Sequence, residues 1–171
     1  MLLLLSNPNS ELLQIPKSEF KQANITYKDS SKYCGRIIEN TKQRHGYGTL
    51  SRKEGNLKFE YKGYFDHDMF GDGPGELNVI GKLHFQGSFK QNKYDGYGTL
   101  KSDDNSTYSG HFLLGKRHGV GKQETDLFTF EGSWENDSMM QGPGTLYDKI
   151  NKQETRGHIN HSLPLSFYSP V

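Results

Sequence analysis

The chain has 171 residues, of which 32% are hydrophobic and 12% aromatic, with 20 glycines and a mean hydropathy of −0.85. Its formal net charge is +1 and no long basic run occurs, which argues against nucleic-acid binding, because affinity for phosphates needs clustered lysine and arginine side chains. A single cysteine, Cys34, excludes a framework of intramolecular disulfides and indicates a reducing compartment.

The N-terminal segment, residues 1–20, predicts an irregular tail. Residues 2–5 are all leucine, but this run is too short for the apolar region of a signal peptide, and no basic residue precedes it. No stretch of the sequence approaches the roughly 20 apolar residues that a membrane-spanning helix needs. We therefore expect an intracellular, cytoplasmic protein.

A repeated pair of sequence cues occupies the middle of the chain. The first cue is an aromatic residue, then glycine two positions later, then a further aromatic or apolar residue two positions on. It occurs at Tyr33-x-Gly35-x-Ile37, Tyr61-x-Gly63-x-Phe65, Phe85-x-Gly87-x-Phe89, Tyr108-x-Gly110-x-Phe112 and Phe130-x-Gly132-x-Trp134. The second cue is Gly-x-Gly, at Gly46/Gly48, Gly73/Gly75, Gly96/Gly98, Gly119/Gly121 and Gly142/Gly144. The residues two positions after it are Leu50, Leu77, Leu100, Gln123 and Leu146.

This spacing predicts β-hairpins. Residues i, i+2 and i+4 of a strand face the same side, so Tyr61, Gly63 and Phe65 share one face. Rings can then lie over glycine backbone on neighbouring strands, which gives a use to a residue that is usually unfavourable inside a strand. We therefore predict that the 15 glycines of the two cues are structural. Residues that favour turns predict the hairpin tips near 39–41, 66–68, 91–93, 114–116 and 135–137.

The predicted fold is all-β: an elongated, twisted single antiparallel sheet of stacked hairpins with irregular N- and C-terminal tails. A sheet domain of 21–160 follows the 1–20 tail, and an extended tail of 161–171 ends the chain. The sheet is divided into a half unit at 21–32, full units near 33–60, 61–84, 85–107, 108–129 and 130–154, and a partial cap at 155–160. About twelve strands at roughly 4.8 Å each predict a curled sheet on the order of 55 Å long.

The segment Phe85-Gln-Gly-Ser-Phe-Lys-Gln-Asn-Lys-Tyr-Asp-Gly-Tyr-Gly-Thr-Leu resembles the MORN repeat, named for membrane occupation and recognition. The resemblance covers residues 33–147, with weaker flanks. It departs from the family pattern at Ile37, at Gln123, and at Pro74 and Pro143 between the paired glycines. The resemblance implies an array of hairpins whose trough receives a helix or an extended peptide of another protein.

The histidines form no recognisable catalytic or metal-binding motif. His45 and His118 stand just before Gly-x-Gly, a place that holds Asp or Gln in the other units, so we predict a polar turn position there. His158 and His161 have no further ligand type nearby, and no phosphate-binding loop is present. We therefore expect no enzyme activity, no catalytic residue, no cofactor, no metal ligand and no small-molecule substrate.

Two faces of the predicted sheet are candidates for partner binding. The preferred one is the aromatic face, with Tyr61, Phe65, Phe85, Phe89, Tyr108, Phe112, Phe130 and Trp134 as predicted contact residues. The other face carries the alternate residues, among them Tyr47, Tyr64, Tyr97, Val120 and Tyr147. Tyrosines among mixed charges also suit a protein interface, so the sequence leaves both faces open.

By analogy with repeat-only MORN proteins, the resemblance implies a non-catalytic scaffold subunit. We expect it to bind protein partners within a ciliary axonemal, radial-spoke-like or other cytoskeletal assembly. One alternative is a peripheral protein that binds membranes or phosphoinositides through Lys42, Arg44, Lys116 and Arg117, although scattered lysines support this weakly. Another alternative is a module that regulates an enzyme in trans.

Overall fold

The computed structural model describes residues 20–160, and within that range it contains thirteen β-strands and no helix. The strands are β1 Phe20–Thr26, β2 Lys32–Ile38, β3 Arg44–Glu54, β4 Leu57–Asp66, β5 Met69–Val79, β6 Leu83–Lys90, β7 Lys93–Ser102, β8 Thr107–Leu113, β9 Lys116–Glu124, β10 Phe128–Glu135, β11 Ser138–Met139, β12 Gly142–Asp148 and β13 Gln153–Ile159. Accordingly, no helix able to cross a membrane is found between residues 20 and 160.

All thirteen strands belong to one sheet, and every pair of neighbours is antiparallel. Their order in the sheet is the order of the chain, except that the two-residue β11 pairs only with β10, beside the path that leads on to β12. The predicted single antiparallel sheet of stacked hairpins is therefore confirmed. The predicted unit boundaries stay a prediction, since the sheet runs across them without a break, and the tails at 1–19 and 161–171 lie outside the described residues.

A row of glycines crosses the sheet from β2 to β10, one on each strand. Successive members are direct cross-strand partners: Gly35, Gly48, Gly63, Gly75, Gly87, Gly98, Gly110, Gly121 and Gly132. Ala23 of β1 continues the row at one end, opposite Gly35. Because none of these glycines has a side chain, the row is a shallow channel in one face of the sheet, into which rings can sink.

The second glycine of the first four Gly-x-Gly pairs lies in this channel, and the first glycine of every pair has a different role. Gly46, Gly73, Gly96, Gly119 and Gly142 all have positive φ. In four hairpins the register shifts beside them: between Gly87 and Phe89, for example, one residue of β6 faces three of β7. Such a bulge bends the strand and increases its twist, and a glycine adopts the required backbone without strain.

Gly144, the second glycine of the last pair, departs from the predicted packing. The ladder between β10 and β12 ends at the pair Glu131 and Thr145, so Gly144 has its cross-strand partner on the other side, at Gly157 of β13. A Cβ at Gly144 would be 3.5 Å from Cε2 of Phe130, an ordinary contact, but only 2.7 Å from the Glu131 carbonyl oxygen. The prediction that this glycine makes room for a ring is therefore wrong: Gly144 is structural because the backbone of β10 passes close to it.

In four units the two rings of the first cue meet over the glycine that lies between them. Tyr61 and Phe65 are four residues apart, which corresponds to about 13 Å along an extended strand. Their ring centroids are nevertheless only 5.1 Å apart, at an interplanar angle of 89°. The Tyr61 ring leans along its strand over Gly63, where its hydroxyl donates to the Tyr64 carbonyl, and this brings the ring to Phe65.

The core is a continuous chain of edge-to-face aromatic contacts along the array. It runs through Tyr33, Phe65, Tyr61, Phe89, Phe85, Phe112, Tyr108, Trp134 and Phe130, with centroid separations of 5.1–5.7 Å and interplanar angles of 70–89°. Contacts of this geometry contribute about 0.5–1.5 kcal/mol each beyond the burial of apolar area. Since contacts within a unit alternate along this chain with contacts between neighbouring units, the core joins the units into one body.

The hairpin tips also join each unit to the preceding one. The backbone N–H groups of Asp68, Asn92, Gly115 and Asp137, the second residues of four tips, donate to backbone carbonyls of the previous hairpin at 2.8–3.1 Å. Both central residues of these four tips have positive φ, which is the geometry of a type I′ turn. Turns were predicted at these positions, and the structure confirms them.

Candidate functional site

The eight rings predicted to contact a partner lie in the core, each no more than 4% exposed. They contact one another, and the indole N–H of Trp134 donates to the Gly121 carbonyl at 3.1 Å. A second set of rings covers them, because Phe70 stacks on Tyr61 at 3.7 Å and Tyr94 stacks on Phe85 at 3.8 Å. Partner contact by the eight rings stays a prediction, and in this state of the molecule they offer almost no surface.

The covering position just after each hairpin tip was missed by the sequence analysis. It holds Phe70 and Tyr94 in two units and arginine in two others. Arg117 lies over Trp134, with its Cζ 4.6 Å from the ring centroid, and Arg44 lies over Phe65 at 5.4 Å. Aromatic and guanidinium groups both stack on rings, so one position accepts two residue types that share no sequence signature.

The core tyrosines satisfy their hydroxyl groups within their own strands. Tyr33, Tyr61 and Tyr108 each donate to the carbonyl three residues later, at 2.6, 3.0 and 3.1 Å. Burial raises the pKa of Tyr33, Tyr94 and Tyr108 to about 12, and it raises the pKa of Tyr61 as well. These phenols are therefore neutral structural groups and not candidate acids or bases.

The exposed face of the sheet carries a regular apolar row. The residue between the two glycines of every Gly-x-Gly pair is exposed, and we call these five residues the outer row: Tyr47, Pro74, Tyr97, Val120 and Pro143. Three of them are large and 57–62% exposed, namely Tyr47, Tyr97 and Val120. The row recurs every second strand of the main path, at intervals of roughly 10 Å, and therefore spans roughly 40 Å of the sheet.

Cross-strand neighbours extend the outer row into a band. Tyr47 faces Tyr64 across β3 and β4, and Tyr97 faces His111 across β7 and β8, with centroids 5.7 Å apart in the second pair. The remaining partners are serines and a histidine: Ser88, Ser133 and His158. Tyrosine, histidine, proline and small hydroxyl side chains together resemble the composition of a protein-binding surface.

A groove of about 860 Å³ opens near the N-terminal end of the sheet. Its lining includes Tyr27, Asp29, Leu50, Phe70 and Asn92. The guanidinium of Arg44 is held there by Asp68, with Nε 2.8 Å from Oδ1. Hydrogen bonds from Ser31 hold the pKa of Asp29 below its usual value. The groove is thus polar at its rim and has no catalytic arrangement among these side chains.

The four basic residues predicted to bind membranes in the lipid alternative differ in whether a carboxylate neutralises their charge. Arg44 is paired with Asp68, and Arg117 is paired with Asp137, with Nε 3.3 Å from Oδ1. Both guanidinium groups also lie over rings of the core. Lys42 and Lys116 are exposed. Two of the four positive charges are therefore neutralised locally, which leaves little attraction for an anionic lipid surface.

One group of potential metal ligands was also missed by the sequence analysis. His45, Asp66 and His67 bring their ligand atoms within 4.8 Å of one another. Burial lowers the pKa of His45, although the Asp66 carboxylate beside it acts in the other direction. The first two of these residues are separated by about 20 positions in sequence, and only the pairing of β3 with β4 brings them together.

Comparison with known proteins identifies the repeat. The family model of the MORN repeat matches residues 42–57, 85–107 and 108–124. No curated protein sequence matches the chain. Among solved structures, the TCP domain of SAS-4 (dCPAP) from Drosophila melanogaster, in complex with a proline-rich motif of Ana2 (dSTIL), aligns over 94% of this chain and 99% of that chain, with 12% identity and a TM-score of 0.33. A likeness that low carries no conclusion about function, so the assignment depends on the matched repeats and the hairpin geometry. The chain is a MORN-repeat protein.

Proposed function

We propose that this protein is a non-catalytic scaffold subunit that binds an elongated protein partner through the outer row, within a ciliary axonemal or other cytoskeletal assembly. MORN repeats are a non-enzymatic module for scaffolding and protein interaction. The proposal goes further in naming the surface and the kind of assembly, and the outer row is the observation that carries it. An exposed apolar residue at the same place in all five hairpins has no role in the core.

The spacing of the row supports a helical partner. A helix rises 1.5 Å per residue, so it presents the same face again after seven residues, or about 10.5 Å. This interval is close to the roughly 10 Å between row positions two strands apart. Tyr47, Tyr97 and Val120 would then contact one stripe of a long amphipathic helix, while the surrounding lysines and glutamates form the polar rim.

Crosslinking mass spectrometry on the tagged full-length protein, purified from its own cells in mild salt, tests the proposal. The test variant replaces Tyr47, Tyr97 and Val120 with serine. The matched control variant replaces three other exposed apolar residues, Ile80, Leu113 and Ile150, with serine. Circular dichroism and thermal unfolding establish that both variants are folded.

We expect stoichiometric crosslinks from strands β3, β7 and β9 to cytoskeletal or axonemal proteins in the wild type and the control. The test variant should lose these crosslinks. Equal recovery of the same partners with the test variant would remove the outer row as the interface. Recovery with membranes alone, without protein crosslinks, would contradict the scaffold proposal and favour the lipid alternative.

A further inference from the structure

Three side chains converge beside the tip of the hairpin formed by β4 and β5. Nδ1 of His45, near the start of β3, lies 3.3 Å from Oδ1 of Asp66, the last residue of β4. Nδ1 of His67, the first turn residue, lies 2.6 Å from the same oxygen. Within residues 20–160, no second set of three histidine, cysteine, aspartate or glutamate side chains comes together in this way. Two imidazoles and one carboxylate therefore meet at one point.

The backbone around these residues is held firmly. The ladder between β3 and β4 continues to the pair Gly46 and Phe65, next to His45 and Asp66. Asp68, which follows His67 in the turn, accepts from the backbone N–H of Arg44 at 2.9 Å and from its Nε at 2.8 Å. The turn is thus fastened to the strand that carries His45. The ring of Phe20 stacks on the His45 imidazole, with centroids 5.1 Å apart.

One of the three ligand atoms lacks a hydrogen-bond partner. Nδ1 of His45 is buried and has no hydrogen-bond partner, and Oδ1 of Asp66 lies 3.3 Å from it. The whole side chain is 15% exposed. Leaving a buried polar atom unpaired costs about 1–3 kcal/mol, and such an atom in a native structure calls for an explanation. A cation shared with Asp66 and His67 would satisfy the lone pair of this nitrogen.

We propose that His45, Asp66 and His67 form a binding site for a divalent transition metal of the zinc class. Nitrogen ligands from two histidines favour zinc and its neighbours, whereas calcium and magnesium prefer sites made only of oxygen. Zinc bonds of 2.0–2.2 Å in a tetrahedral arrangement place neighbouring ligand atoms roughly 3.3–3.5 Å apart. The separation of His45 from Asp66 is already 3.3 Å.

Small side-chain rotations complete the fit. Asp66 and His67 are about half exposed, so rotating them apart from their 2.6 Å contact requires no repacking of the core. Three protein ligands leave a fourth position, which water or a side chain of a bound protein can fill. The bound ion would clamp the turn at His67 to strand β3.

The fourth hairpin provides an internal comparison. His118 occupies the place of His45, and Glu135 and Asn136 occupy the places of Asp66 and His67. A second imidazole is missing there, and these three residues do not form a ligand group. The same fold thus carries one complete and one incomplete version of the arrangement, and the second supplies a matched control.

The test is metal binding by the full-length protein after removal of any affinity tag and treatment with a chelator. Zinc chloride is titrated by isothermal calorimetry, and cobalt(II) chloride is titrated while its visible absorption is recorded. The variants are His67→Asn and His118→Gln. Asparagine is the natural residue at the same turn position in Asn136, and glutamine is found at the place of His118 in Gln141, so both substitutions suit the fold.

We expect one equivalent of zinc and a cobalt spectrum with the intense absorption of a four-coordinate ion. His67→Asn should weaken zinc binding by at least about 100-fold, because even loss of an outer partner of a metal ligand costs 10–100-fold. His118→Gln should bind as the wild type does. Absence of zinc binding in the wild type would overturn the proposed site. Equal zinc binding by His67→Asn and the wild type would also overturn it, because the metal would then be bound by other residues.

Discussion

At the scale of single residues, the two glycines of a Gly-x-Gly pair have different structural roles. The first has positive φ and permits the bulge, as Gly96 does with φ of 100°. In the first four pairs the second has an ordinary strand backbone and lies under a ring. A Cβ at Gly98 would stand 2.5 Å from Cζ of Phe85 and 2.7 Å from its Cε2. The first ring of each of these units covers two glycines of the row, one on its own strand and one on the next strand, as Phe85 covers Gly87 and Gly98. The ring and these two glycines therefore form a single packing element.

Gly98→Ala tests this packing element without backbone strain. The added methyl group would overlap the Phe85 ring, which is enclosed by Phe89, Tyr94 and Phe112 and has no room to move away. We expect a loss of about 1–3 kcal/mol in the free energy of unfolding, which is typical of overpacked cores. Urea unfolding followed by circular dichroism measures the change.

Phe85→Leu provides the control, because a smaller side chain at Phe85 makes room for the methyl group. In a double-mutant cycle, Gly98→Ala should cost less in the Phe85→Leu background than in the wild type. An equal cost in both backgrounds would mean that the glycine is needed for a reason other than the ring above it.

At the scale of secondary-structure elements, four hairpin tips are hydrogen-bonded to the preceding unit. The second turn residue donates its N–H to the earlier hairpin, and in three tips its side chain also accepts an N–H from that hairpin. Asp68, Asn92 and Asp137 make this double contact. Both aspartate and asparagine tolerate positive φ, which a type I′ turn requires at both central positions.

Leu114 is the first residue of its turn, a position held by polar residues in the other three tips: His67, Gln91 and Asn136. It has φ of 53° and is exposed, so it bears the strain of a left-handed backbone and gains little from burial. We expect Leu114→Asn to stabilise the protein by about 1 kcal/mol, because a non-glycine residue of ordinary shape in this region costs roughly 1–2 kcal/mol and asparagine is better tolerated. The resulting Asn-Gly pair with Gly115 is the preferred type I′ sequence.

Thermal and urea unfolding of Leu114→Asn measure this gain. The backbone N–H of residue 114 keeps its bond to Asp95, at 3.2 Å in the wild type, so the comparison isolates the turn conformation. Leu113→Asn, one position earlier in strand β8, is the matched control and should not stabilise the protein. An equal gain in both variants would point to lower surface hydrophobicity and not to the turn.

The elements themselves could be predicted from the sequence because their signals are local. The alternation of Tyr61, Gly63 and Phe65 and the turn residues around Asn92 specify hairpins within a few positions. The bulges could not be foreseen in this way, since the first glycine of each pair looks the same as the second. Neither could the covering role of Phe70 and Arg44, nor the meeting of His45 with His67. These depend on where the register shifts and on which residues the cross-strand pairing brings together.

The last pair shows the same limit of local signals. Gly144 has the spacing of the other second glycines, yet it is paired with Gly157 and has no ring pressed against it. The sequence cue is identical, and only the early end of the ladder between β10 and β12 makes the difference. A glycine cue therefore predicts a structural role, but the register decides whether a ring or a neighbouring backbone occupies the space.

At the scale of the whole molecule, stability is distributed along a one-dimensional array. Neighbouring units are coupled, as in other repeat proteins, by the aromatic chain from Tyr33 to Phe130 together with the strand pairing and the hydrogen bonds of the hairpin tips. The ionisable rings are spread over the array: Tyr33, Tyr61 and Tyr108 belong to this chain, and Tyr94 covers it. A change of pH that ionises them therefore acts on most of the core simultaneously.

Alkaline pH should unfold the protein over a defined interval. The pKa of Tyr33, Tyr94 and Tyr108 is raised from 10.0 to about 12 by burial. Above pH 10 the unfolded chain releases phenolic protons that the folded protein retains, so unfolding becomes progressively more favourable. The stabilisation is complete below pH 10 and is lost between about pH 10 and 12. We expect the urea midpoint to fall across this interval, with phenolate absorbance rising in the same transition.

A triple variant separates tyrosine ionisation from other effects of alkali. Phenylalanine occupies the first ring position naturally at Phe85 and Phe130, so Tyr33, Tyr61 and Tyr108 can all be replaced by phenylalanine in a compatible setting. The variant loses three hydrogen bonds, worth about 1 kcal/mol each, and is less stable at pH 8. Its urea midpoint should nevertheless fall less between pH 8 and 11.5 than that of the wild type. A parallel fall in both proteins would show that ionisation of Tyr33, Tyr61 and Tyr108 does not drive alkaline unfolding.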